Sequence, residues 1–161
     1  MEPPQVSPIK KLTRSIMSTP VETIRQDAGA LAAADKMSAK NVLHLVVIDA
    51  KGRIVGVISD RDLRSAQPSM LLVPDAAMRR KALGMVRVED VMTEHPSTIR
   101  DDQSIEDALG LILRHRLGCL PVVDRAGELV GIVTGGDVAK LALALVRAHP
   151  GDDLPISSLR V

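Results

Sequence analysis

The sequence has no phenylalanine, tyrosine or tryptophan in 161 residues. That absence removes the base-stacking platforms of single-strand nucleic-acid binders and the aromatic walls on which a purine ring can rest. A flat ligand would have to be held by aliphatic side chains and backbone hydrogen bonds, which implies modest affinity. Charge of one sign is also lacking. The 21 Lys and Arg stand against 20 Asp and Glu, for a formal net charge of +1, too weak a field to recruit nucleic acid or an anionic membrane. With one cysteine, Cys119, no intramolecular disulfide can form, and a reducing, cytoplasmic setting is expected. The opening Met1-Glu2-Pro3-Pro4 lacks the basic and apolar regions of a secretory leader. The most apolar helical segment, Val138 to Val146, is followed at once by Arg147 and falls well short of the roughly 20 residues of a membrane span. No membrane or nucleic-acid partner is expected.

What is present is a duplication. A shift of 75 without gaps places Met17 on Met92, Thr23 on Thr98, Arg25 on Arg100, Asp49 on Asp124, Gly52 on Gly127, Gly56 on Gly131 and Asp62 on Asp137. Hydrophobic residues make up 45% and charged residues 25%, enough apolar material for a folded chain. A unit of roughly 60 residues is small for independent stability, so the two copies are expected to pack together and share a core.

Each copy predicts the same βαββα order. In the second, Ile105, Ala108, Leu109 and Ile112 follow helical spacing behind the candidate cap Ser104. Cys119 to Val123 and Leu129 to Val133 read as a hairpin turning at Gly127, and a helix opens after Thr134 and runs to about Ala148. In the first, Ala30, Ala33, Ala34 and Met37 mark the helix, His44 to Ile48 and Ile54 to Ile58 the hairpin, and Ser59 precedes a short helix. The expected boundaries are a tail at 1–8, a first domain at 9–66, a linker at 67–84, a second domain at 85–148 and a tail at 149–161. The linker carries one expected helix, whose basic run Arg79-Arg80-Lys81 reads first as a solvated face.

The strand-to-helix junctions carry the chemistry. They are Ser59-Asp60-Arg61-Asp62 and Thr134-Gly135-Gly136-Asp137. Each sets a carboxylate three residues after a hydroxyl at a helix start, where a phosphate can meet free amides and the carboxylate can accept two hydrogen bonds from a ribose diol. The plainer reading is that Ser59 and Thr134 cap their helices while the aspartates complement the dipole.

Val88-Glu-Asp-Val-Met-Thr93, Ser97-Thr-Ile99, Leu117-Gly-Cys-Leu-Pro-Val-Val-Asp124 and Gly131-Ile-Val-Thr-Gly-Gly-Asp137 together resemble a cystathionine-β-synthase (CBS) domain, and the first copy resembles a second. The resemblance spans about Leu12 to Arg64 and Met85 to Leu145. It is nearest to free-standing bacterial CBS pairs, including the acetoin-utilisation type. It implies an α+β fold in which two domains pack through their sheets about a pseudo-two-fold axis, with two ligand clefts between them. The implied ligand is AMP, ADP or ATP, or else S-adenosylmethionine or a dinucleotide such as NAD; no cofactor is required. By position, Asp62 and Asp137 would hold ribose hydroxyls, with Ser59 and Thr134 on ribose or phosphate. His44 and Cys119 would approach the phosphates, and the strands at Thr23-Ile24 and Thr98-Ile99 would meet adenine in the opposite copy's site. A homodimer is implied as well.

The two sites are expected to differ. Arg61 could pair with phosphate while Asp60 repels it; Gly135 and Gly136 expose bare amides. Leu43, where the other copy has Gly118, is expected to narrow the cleft that holds Asp137. The histidines show no ligand spacing with one another or with Cys119, so neither a metal site nor catalysis is expected. Lone Cys119 reads as a small buried hydrophobe before it reads as a thiol, and His44 as a packing residue before a ligand contact. The alternative to sensing is a ligand-free module that acts through dimerisation or by docking a protein effector.

Overall fold

A computed structural model of the chain describes residues 11–148; the expected tails lie outside the described residues. The first copy runs β1 (Thr23–Arg25), α1 (Ala30–Lys40), β2 (His44–Ile48), β3 (Ile54–Ser59) and α2 (Asp60–Ser65). The linker contributes α3 (Ala76–Leu83). The second copy runs β4 (Thr93–Glu94), β5 (Ile99–Arg100), α4 (Ile105–His115), β6 (Cys119–Val123), β7 (Leu129–Thr134) and α5 (Gly135–Ala148). In both copies the first strand runs parallel to the second through a helical crossover, and the next two form an antiparallel hairpin.

Local chemistry accounts for these elements. Ser104 caps α4 reciprocally with Asp107: the hydroxyl accepts the Asp107 N–H at 3.0 Å and donates to the carboxylate at 2.6 Å. The hairpin turns are held by Asp49, whose Oδ1 accepts the Lys51 and Arg53 amides, and by Asp124, which accepts those of Ala126 and Glu128. Gly52 and Gly127 follow with φ of 78° and 85°, a conformation that a β-carbon would strain.

The copies share their core as expected, through two clusters that each take residues from the other copy, with Val88 in the first and Ile16 and Met17 against the second, and a seam between the sheets. Ala30, Ala33 and Met37 of α1 pack on Leu45, Val47 and Ile58, and Leu83 of the linker helix joins them. Ile99, Ala108, Leu120, Val122 and Val133 form the second cluster. Because strand residues alternate faces, Val46, Cys119 and Ile132 point the other way and make a third cluster between the sheets. The basic run is partly used internally: Arg79 donates to the Val73 and Pro74 carbonyls, and Arg80 pairs with Asp35 of α1.

Each copy also sends its N-terminal segment to the other. The Thr13 amide donates to Gln103 O and the Ile105 amide to Lys11 O. At the repeat-related positions, Val88 donates to Ala28 O and Ala30 to Val86 O. Beyond these bonds β4 pairs with β3, placing Thr93 beside Val57, and Ser18 forms the matching bridge to Ile132. Among the described residues, no helix is long and apolar enough to cross a membrane.

Candidate functional site

The exchange of segments brings residues of both copies around one cleft of about 990 Å³. The first copy contributes Leu43 and His44 at the start of β2, and Ser59, Asp60, Arg61 and Asp62 at the β3–α2 junction. The second contributes Thr93, His95, Pro96 and Ser97 from the crossing segment, and His115 to Cys119 from the end of α4 into β6.

Of the residues singled out in the sequence, His44, Ser59, Arg61, Asp62 and Cys119 share this cleft. Thr134, Gly135, Gly136 and Asp137 do not line it, nor do Thr23, Ile24, Thr98 and Ile99. Ile99 is buried in the second core and Ile24 packs against the first. Thr98 is exposed, and the Thr23 carbonyl accepts Lys36 Nζ at 2.7 Å. Leu43, expected in the cleft of Asp137, lines that of Asp62 together with Gly118. The reason lies near the pseudo-axis, where β2 and β6 meet: the His44 ring packs so close to Gly118 that an added Cβ there would lie 2.9 Å from Nε2.

At the β3–α2 junction the capping reading holds in full. Ser59 Oγ accepts the Asp62 N–H at 3.3 Å, while the Ser59 N–H and hydroxyl donate to Asp62 Oδ2 at 2.8 and 2.6 Å. Both Ser59 donors are thus engaged. Asp62 Oδ1 has no hydrogen-bond partner among the described residues, so the carboxylate is fixed by one oxygen and offers the other. Asp60, expected to repel phosphate, is paired with Arg64 one turn on. Arg61 and Arg116 line the cleft and have no ion-pair partner among the described residues. Helix α2 has only six residues, so its dipole is small and the side-chain cations dominate the field.

His44 is partly buried and its pKa is lowered by desolvation, which the nearby Asp62 charge partly opposes. Burial pushes the Cys119 thiol up to about 12, with the Asp62 charge adding to it. Cys119 is 6% exposed and sits in the seam between the sheets, as a small hydrophobe would. Among the described residues no cluster of His, Cys, Asp and Glu could hold a metal ion.

The sequence reading missed Arg116, His115 and His95. One signal was available: the shift of 75 places Arg116 on Asn41 at the helix end, and both take φ of 52°. Asparagine tolerates that left-handed conformation, whereas arginine there is uncommon. The missed side chains reach the Asp62 cleft because the crossing segment and α4 converge on it.

The sequence pattern of the CBS domain matches this chain twice, at residues 13–69 and 88–144. A CBS domain-containing protein of Dictyostelium discoideum is 32% identical over 142 residues, covering 88% of this chain and 98% of that protein. Several enzymes also match, but the chain spans only about a quarter of their length, among them an L-aspartate semialdehyde sulfurtransferase of Methanocaldococcus jannaschii at 24%. Two solved structures are similar in fold. CBSX2 in complex with AMP has a TM-score of 0.67 at 29% identity, covering 84% of this chain and 98% of the other. The CBS domain pair of protein MJ0100, in complex with 5′-methylthioadenosine and S-adenosyl-L-methionine, has a TM-score of 0.66 at 25% identity, covering 82% and 99%. With the domain matched in both halves and each half folded as βαββα, the chain belongs to the CBS domain family, as a tandem pair.

Proposed function

We propose that this pair is a ligand-sensing regulatory module whose Asp62 cleft takes an adenine nucleotide: AMP, ADP or ATP. The observation that carries the reading is the unpartnered Oδ1 of Asp62 in a cleft where Arg61 and Arg116 are also unpaired among the described residues. Oδ1 would accept the ribose hydroxyls, and the two guanidiniums, one from each copy, would meet the phosphates. CBSX2, a relative of the same fold, was solved with AMP. S-adenosylmethionine, found with the MJ0100 pair, has no phosphate for Arg61 and Arg116 to meet, which favours the nucleotides. The adenine would lie against aliphatic side chains such as Leu43 and Leu117, there being no aromatic ring to stack on.

Binding acts on a target only through different affinity for two states of the pair or of its assembly. A homodimer belongs to the same proposal; the exposed Leu143, Leu145 and Val146 of α5 supply apolar surface for it. Calorimetric titration with AMP, ADP, ATP, S-adenosylmethionine and NAD tests the ligand. The expected result is heat with the adenine nucleotides, weakened about tenfold or more in Asp62→Ala and in Arg116→Ala, as for loss of a charged hydrogen bond. No heat with AMP, ADP or ATP would overturn the proposal, whatever S-adenosylmethionine or NAD does.

A further inference from the structure

We infer that this chain holds one nucleotide, at Asp62, and that Ser18 fills the ligand's place at Asp137. The inference rests on the nucleotide reading of the Asp62 cleft and adds its stoichiometry and the reason for it.

The carboxylate of Asp137 is 4% exposed and fully engaged. Its Oδ2 accepts the Thr134 N–H and hydroxyl, each at 2.8 Å. Its Oδ1 accepts the Ser18 hydroxyl at 2.7 Å and Lys140 Nζ at 3.5 Å. Four donors occupy the acceptor sites that a ribose diol would need. Asp62 has the matching pair on Oδ2 and no hydrogen-bond partner on Oδ1 among the described residues.

Ser18 is not loosely placed. Its amide donates to Ile132 O at 2.8 Å and its carbonyl accepts the Ile132 amide at 3.1 Å, so the backbone itself presents the hydroxyl to Asp137. Thr93, the repeat-related residue, is paired with Val57 in the same way yet lines an open cleft without bonding Asp62.

Charge differs in the same direction. The shift of 75 replaces Arg61 by Gly136 and Arg116 by Asn41. It replaces His115 by Lys40, which is tied to Glu22 at 3.5 Å, and Ser97 by Glu22 itself. Gly135 and Gly136 remain exposed at the start of α5. With no free diol acceptor on Asp137 and Lys140 tied to its carboxylate, those amides do not make a nucleotide site.

Titration of the full chain with ADP, read for stoichiometry, tests this. One ADP per chain is expected; Asp62→Asn should weaken it about tenfold or more, and Asp137→Asn or Ser18→Ala by less than about twofold. Two ADP per chain, or equal losses in Asp62→Asn and Asp137→Asn, would overturn the inference and leave the nucleotide reading intact. No binding of ADP, AMP or ATP to the unmodified chain would remove both. The stoichiometry of the unmodified chain decides the matter even where Asp137→Asn fails to fold.

Discussion

Asp62 and Asp137 stand at the same position of the repeat, three residues after a strand-end hydroxyl, and face different surroundings. Burial raises the Asp137 pKa, and the hydrogen bonds from Ser18, Thr134 Oγ1 and the Thr134 amide outweigh it, so the carboxyl sits below its ordinary value of 3.8. A carboxyl depressed in the folded state stabilises the fold above its unfolded pKa, and that stabilisation fades as pH falls toward the folded value. Asp137→Asn should therefore lower the melting temperature at pH 7, and the gap from the unmodified chain should narrow below about pH 4. Thermal melts across pH measure it, and a constant gap from pH 7 to pH 3 would contradict the assignment. The two aspartates were legible in the sequence as equivalent positions, and the change from Asp60-Arg61 to Gly135-Gly136 beside them already set the two sites apart. The part played by Ser18 was not legible, because it is distant in sequence and brought to Asp137 by tertiary structure.

The elements themselves were read closely, since helical spacing behind Ser104, and turn glycines behind Asp49 and Asp124, are local signals. The exchanged segments were not, since Thr93–Glu94 is a two-residue strand and Ser18 forms an isolated bridge; neither has a hydrophobic period. In hindsight the repeated pairs Met17 with Met92 and Gly56 with Gly131 mark them. Met92 lies over Gly56 and Met17 over Gly131 so closely that an added Cβ at either glycine would collide with the methionine. At Gly56 the Thr93 carbonyl, 3.0 Å from the added Cβ, also stands in the way. Gly56→Ala should accordingly destabilise the fold by about 1–3 kcal/mol, the usual cost of overpacking. Urea unfolding reads this; a neutral effect would mean that the crossing segment does not press on β3.

For the whole molecule, the duplication yields two like folds around a seam, and under the proposed function one of the two junctions, at Asp62, takes the nucleotide. Val46, Cys119 and Ile132 pack together between the sheets, while Arg61 from one copy and Arg116 from the other both line the cleft. Neither copy alone could supply both cations, so a bound phosphate would bridge the two halves, and this links occupancy to their relative position. The repeat and the junction motifs made the pair legible from sequence. The choice between its clefts rests on which side chains are already satisfied, a property of the packed structure. The most direct test is backbone amide chemical-shift mapping on addition of ADP. The account predicts the largest shifts at Arg61, Asp62, Arg116 and Gly118, with Gly135, Gly136 and Asp137 little changed. Largest shifts at Gly135 to Asp137, or none anywhere, would contradict it.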